Sequence, residues 1–480
     1  MKIACIVPRY GTEITSGVEC QCRLIAEQLA ERHQVDVLTT CARDDASWKN
    51  DYPEGADRTR GVTVRRFSTS RTRDAREFQR QSEWIFTHRH GRQEEIEWLK
   101  QQGPWSPALI EFLERHHQQY DALVFFGSLH APAVMGMRVA PHKSVLVPAL
   151  RDNDDPAYQL GICREVFTSA GAIAWNSEAE REFAHARFAL RTVVEEIIGC
   201  GVALPEGEAV AEGAEPPAPP PGGREPFARH IEGPANAFRR RHRMHGKFVL
   251  YGGRIDPGEG GEELLEYFQT YVKEGGDATL ILMGVKRMPL PEDPHVRFAG
   301  TLPDEERLHA LEAAAVVVVP SPNDNLSIVA LESLSVGTPV LGNARSASLV
   351  DHCRRSHAGL YYADRWEFVD ALKLLLKDDG LRAAMGRNGK AYVNTHYRWS
   401  LVLSKYEQLL MRLRGGSAER DREAQRTREP ERERERDRGR DRDRDRHRQW
   451  GRGRGRGRDQ NRGGGDRGGR GQHGKPRGRH

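Results

Sequence analysis

Short runs of β-branched and aliphatic residues recur along the chain, each separated from the next by a stretch with helical spacing. In the first half the runs are Lys2–Val7, Val35–Thr39, Val62–Phe67, Ala122–Phe126, Ser144–Val147, Ala172–Trp175 and Val193–Ile198, and each predicts a strand. Between the first two, Val18, Cys22, Ile25 and Leu29 fall on one face of a helix. Ser106 before Pro107, and Ser177 with Glu180 three residues on, mark further helix starts. A second set follows at Phe248–Tyr251, Ala278–Met283, Val296–Ala299, Ala315–Val319, Pro339–Gly342 and Gly359–Tyr361. This alternation predicts an α/β chain of two Rossmann-like doubly wound domains facing a cleft, with ligand chemistry in the loops after the strands.

Composition divides the chain further. The reading is an N-terminal domain over 1–200, a Pro/Gly-rich linker over 201–240, a second domain over 241–398, a C-terminal helix over 399–414 and a tail over 415–480. The tail holds 23 Lys and Arg against 13 Asp and Glu, a net +10 in a chain whose total is +5, so residues 1–414 carry −5. Basicity therefore describes the tail alone. Its Arg-acid alternation and Gly-Arg repeat bury too little apolar surface to order the chain, which predicts disorder, with RNA or a peripheral membrane surface as possible partners. Seven cysteines without a CxxC pair read as reduced thiols. The five apolar residues Ile3–Val7 are too short for a signal-peptide core, and the expected location is cytoplasmic, with at most peripheral contact at the inner membrane surface.

The densest chemistry lies in Pro320-Ser321-Pro322-Asn323-Asp324-Asn325-Leu326-Ser327-Ile328, where a strand of valines ends in a polar loop and a helix is predicted to begin near Leu326. Backbone N–H groups of Asn325, Leu326, Ser327 and Ile328 at that helix start would bind a diphosphate. Asp324 in the loop and Glu332 on the helix are two acids eight residues apart that could hold sugar and ribose hydroxyls. The alternative is that Asp324 only caps the helix and Glu332 is a solvated surface acid.

Asp324, Glu332, Gly337, Pro339 and Val340, with Pro320-Ser321 before them, resemble the signature of glycosyltransferase family 4, the retaining group with the GT-B fold. Val7-Pro8-Arg9-Tyr10-Gly11, Gly252-Gly253-Arg254 and Ala358-Gly359-Leu360 extend the resemblance over about residues 1–410. It implies a nucleotide-sugar donor, a sugar, lipid-linked or small-molecule acceptor, and no metal cofactor. By it, Glu332 holds the donor ribose and Asp324, where the family usually has Glu, holds the transferred sugar. Gly17 lets the main chain approach the donor or acceptor, and the turn at Leu302 contacts the base.

Tyr251-Gly252-Gly253-Arg254 runs from a strand into a Gly-rich turn, where Gly253 admits a phosphate and Arg254 supplies a forked charge. Five residues after this Arg the family usually has Lys, and here stands Glu259. A carboxylate about 5 Å from a phosphate costs on the order of 3 kcal/mol, so Glu259 is expected to point away or another cation to substitute. Lys286, Arg287 and Arg151 are the candidates. Arg151 stands where related sequences often hold a His; it cannot accept a proton but could stabilise leaving phosphate. Asp152-Asn153-Asp154-Asp155 reads as a polar loop, and no metal site is expected. Two competing functions remain: a nucleotide-sugar-binding protein of this fold with impaired turnover, and an RNA-binding protein acting through the tail.

Overall fold

The computed structural model describes residues 1–14, 16–150, 155–190, 194–204 and 233–416. The tail and most of the Pro/Gly-rich segment lie outside the described residues, as does Arg151.

The first sheet contains β1 (Lys2–Ile6), β2 (Gln34–Thr40), β3 (Gly55–Thr59), β4 (Val62–Phe67), β5 (Ala122–Phe126), β6 (Ser144–Val147), β7 (Ala172–Trp175) and β8 (Val194–Ile197). Their order is β3-β4-β2-β1-β5-β6-β7-β8, parallel except for the β3–β4 hairpin. The second sheet contains β9 (Phe248–Ile255), β10 (Thr279–Lys286), β11 (Val296–Gly300), β12 (Val316–Val319), β13 (Val340–Asn343) and β14 (Gly359–Tyr362), all parallel, in the order β11-β10-β9-β12-β13-β14. Strand order reverses beside β1 and β5 in one sheet and beside β9 and β12 in the other. Ligand crevices open at such switch points because the flanking crossovers leave in opposite directions.

Both faces of the central strands of each sheet are covered, which is why those strands read as apolar runs. Alternate residues divide cleanly: Ile3, Cys5 and Val7 enter one core, while Ala4 and Ile6 enter another. Phe248 and Leu250 join the core of Ile3, whereas Val249 and Tyr251 face a third. The core between the domains is thus continuous across both. The helix over 399–416 adds Tyr406, Leu409, Leu410 and Leu413 to it, returning to the first domain with Lys405 Nζ 3.0 Å from the Ile197 carbonyl.

Four local expectations change. β3 is an addition to the expected strands: it is almost wholly exposed and carries no alternation, its turn being made by Arg60 and Gly61 at φ 47° and 84°. β9 continues through the glycines to Ile255, where the sequence predicts a turn, because Gly252–Ile255 pair with Met283–Lys286 of β10. Gly253 and Gly284 lie face to face there, and a Cβ on Gly284 would fall 1.9 Å from the Gly253 carbonyl oxygen. The helix expected near Leu326 begins at Ile328, since Ser327 takes a left-handed conformation at φ 52°. Pro234–Arg241, within the expected linker, is a helix anchored by Phe238 in the core and by Arg239 donating to the Ala313 carbonyl at 2.6 Å.

Candidate functional site

At the first switch point the chain leaves β1 and turns into the helix Gly17–Leu29. Ser16 occupies the N-cap but makes no side-chain bond to the helix. Its hydroxyl instead donates to Glu19 Oε2 at 2.6 Å and accepts from Arg9 Nη2 at 2.9 Å. The first-turn N–H groups therefore lack a side-chain cap, and a Cβ on Gly17 would meet nothing within 4 Å. An open, uncapped helix start is suited to an anion or to a close main-chain contact.

At the second switch point the loop after β12 folds around Asp324. Its Oδ1 accepts from Ser327 N at 2.7 Å and Leu326 N at 3.4 Å, so Asp324 does order the turn before the helix Ile328–Ser335. Burial pushes its carboxyl up, against those bonds. Asn325 lends its carbonyl to Ser348 Oγ at 2.9 Å, and buried His352 donates from Nε2 to the Leu326 carbonyl at 3.0 Å. Ser327 has no side-chain bond to the helix. The loop is held from behind, and the N–H groups of Ile328 and the two residues after it lack a side-chain cap.

Glu332 is buried, not solvated: it is 5% exposed and paired through Oε2 with Arg307 Nη1. Burial raises its carboxyl and Arg307 opposes the rise. From the first domain, Arg23 reaches the same region, 3.9 Å from Asp304 on the helix that carries Arg307.

Arg254, at the end of β9, meets three carboxylates. Asp256 touches Nε, Glu259 Oε1 lies 2.8 Å from Nη2, and Asp45 of the first domain lies 3.6 Å from Nη1. Glu259 also accepts from Ser321 Oγ at 2.8 Å, which links Arg254 to the loop of Asp324. Glu259 thus does not point away but pairs with Arg254 itself, the cation expected to face the phosphate. Lys286 does not join this group; its Nζ sits 5.7 Å above the Phe298 ring. Arg287 does, with Nη1 3.0 Å from Asp45 Oδ1. Gly253 lies within the strand beside Arg254, and Leu302 is half-buried against the shared core.

In the sequence Glu180 stands out only as part of a helix cap. It is 4% exposed and accepts from Leu150 N at 2.7 Å, Asn176 N at 2.7 Å and Asn325 Nδ2 of the second domain at 3.4 Å. Its partners come from 145 residues away at the farthest, a pairing no local pattern carries. The same holds for Asp45, Arg307 and His352.

Two doubly wound domains of this kind are the architecture of the GT-B fold. Residues 234–392 match the family described as glycosyl transferases group 1. The D-inositol 3-phosphate glycosyltransferase of Corynebacterium efficiens is 26% identical over 183 residues, covering 35% of this chain and 43% of the relative. The chain thus spans less than half the length of that curated relative. Among solved structures, sucrose-phosphate synthase from Thermosynechococcus elongatus superposes with a TM-score of 0.62 at 17% identity, over 86% of this chain and 99% of its own. Anabaena HepE in complex with UDP gives 0.57 at 13% identity, over 86% and 100%. No helix among the described residues is long and apolar enough to cross a membrane.

Proposed function

We propose that this chain is a retaining, family 4 glycosyltransferase that moves a sugar from a nucleoside diphosphate donor to an acceptor hydroxyl. The observation that carries the reading is the uncapped start of the Ile328–Ser335 helix at a switch point, joined through Ser321 and Glu259 to Arg254. In this reading the helix N–H groups and the guanidinium both bind the departing diphosphate. The acceptor oxygen bonds to the anomeric carbon from the face the diphosphate leaves. The bond from that carbon to the phosphate oxygen breaks, the pair stays on the phosphate, and the hydroxyl proton passes to it. Arg254 and the helix N–H groups hold the departing phosphate in this reading, and no metal takes part. Glu332 Oε1 holds the ribose, Asp324 the transferred sugar and Leu302 the base.

The bound UDP of HepE supports a nucleoside diphosphate. The inositol phosphate in the relative's name suggests a small phosphorylated polyol as acceptor, with lipid-linked and polysaccharide acceptors as the other classes. The test is saturation-transfer NMR of the full chain with UDP-, GDP- and ADP-sugars, following slow donor hydrolysis with EDTA present. One donor is expected to bind and hydrolyse, and Glu332→Gln to weaken it by about tenfold. Silence across all three donors would sink the proposal.

The three carboxylates around Arg254 favour a second reading, a nucleotide-sugar-binding protein with little turnover. Glu259→Lys separates the two: a large gain in turnover supports impairment in the natural chain, and a loss shows that Glu259 is adapted to its site.

A further inference from the structure

We propose that Arg254 and Arg287 together form the cradle for the donor's diphosphate, and that Asp45 of the first domain is a latch whose carboxylate the diphosphate must displace. The proposal rests on the nucleotide-sugar reading above and adds to it the second cation and its competitor.

One cation is too few for a diphosphate, and Glu259 stands where the other was expected. Its carboxylate is committed to Arg254 and Ser321, at 2.8 Å each. Arg287 is the first residue beyond β10, and its N–H donates to the Ile255 carbonyl at 2.9 Å, which fixes it beside the end of β9. The parallel register pairs Lys286 with Ile255 and Val285 with Arg254, so the two arginines leave neighbouring strand ends.

Asp45 demonstrates that an oxyanion fits between them. Its Oδ1 takes Arg287 at 3.0 Å, while its Oδ2 lies 3.6 Å from Arg254 and 3.7 Å from Arg9. Burial would push its carboxyl up, but Arg9, Arg287 and Arg254 hold it below the usual range. Its main chain is clamped: Arg73 Nε donates to the Ala46 carbonyl at 3.0 Å, Arg73 Nη2 to that of Asp45, and Arg9 Nη1 to that of Arg43 at 3.2 Å. The loop is fixed, so the latch opens by rotation of the Asp45 side chain or by movement of the second domain.

Charge decides how much Arg287 matters. Arg9, Arg254 and Arg287 face Glu19, Asp256, Glu259 and Asp45, a net of −1. With Asp45 displaced the group is neutral. Without Arg287 it would present net negative charge to an anion of two phosphates. Attraction then comes from geometry, two forked donors converging on one point, and the loss of either is felt strongly.

The test is calorimetric titration of the full chain with UDP, GDP and ADP, each against its monophosphate, in the wild type and in Arg287→Gln, Arg287→Lys and Asp45→Asn. Thermal melts establish that each variant is folded. For the base that binds, Arg287→Gln is expected to weaken the diphosphate about tenfold while leaving the monophosphate within about twofold. Arg287→Lys recovers most of that loss, and Asp45→Asn tightens the diphosphate severalfold. An unchanged ratio of diphosphate to monophosphate affinity in both Arg287→Gln and Asp45→Asn, with wild-type binding intact, overturns the latch and cradle alone. If the wild type binds none of the three diphosphates, the nucleotide-sugar reading falls and this proposal with it.

Discussion

His352 sits behind the loop after β12 and fixes the main chain proposed to meet the ligand. Its Nε2 lies 3.0 Å from the Leu326 carbonyl, which can only accept, so Nε2 carries the proton and Nδ1 accepts from Tyr392 Oη at 3.0 Å. That arrangement requires a neutral ring, and burial pushes the imidazole down to about 4. In the unfolded chain it titrates near 6.5, so the stability due to this neutrality is complete above pH 6.5 and lost as pH falls through 4. The loss amounts to about 3 kcal/mol over that window. Urea unfolding of wild type and His352→Gln at pH 7.5 and pH 4 should show the wild type losing about that much more than the variant; parallel losses would show that the ring is not held neutral. Glu180 runs the opposite way. Burial raises its carboxyl to about 7, so its contribution is full below about 4.5 and declines as pH rises through 7. Legibility at this scale follows sequence distance. Asp324 and Glu332 share one short ordered stretch and could be found together, whereas Arg307, 25 residues before Glu332, is joined to it only by packing.

Glycines separate what holds an element from what leaves room beside it. Gly284 has φ 124° and no space for a Cβ against Gly253, so Gly284→Ala should destabilise the second sheet by more than about 2 kcal/mol in chemical denaturation. Gly17 opens a helix, and a methyl group on its Cα would have nothing within 4 Å, so Gly17→Ala should leave stability within about 1 kcal/mol of wild type or raise it. Donor affinity should nonetheless fall, because that methyl group would stand where the main chain is approached. A variant that binds as well as wild type would remove Gly17 from the site. The same contrast explains which elements could be read from the sequence. Strands buried on both faces announce themselves as apolar runs, and all thirteen expected strands are present within a few residues. The exposed β3 has no such signature, and the glycines of β9 imitate a turn although strand pairing to β10 carries them onward.

The helix over 399–416 decides whether the two domains behave as one. It follows the second domain in sequence yet contacts the first, with Glu407 Oε1 3.1 Å from His33 Nε2 and Arg412 Nη2 3.0 Å from Glu196 Oε2. The exposed Arg412–Glu196 pair contributes little. Its weight lies in Tyr406, Leu409, Leu410 and Leu413, none more than 2% exposed and all in the core that also holds Ile3, Phe248 and Leu331. Each of the three leucines contributes roughly 1.5–3 kcal/mol by burial, so together they are comparable with the roughly 5–15 kcal/mol by which a folded domain is stable at all. A core shared in this way couples the unfolding of one domain to that of the other. Denaturation of the full chain, followed at once by fluorescence and far-ultraviolet circular dichroism, should give a single coincident transition. Leu409→Ala should move that transition by about 2–5 kcal/mol without dividing it. Two separated transitions in the wild type would mean that the domains fold independently and that the returning helix only decorates the first.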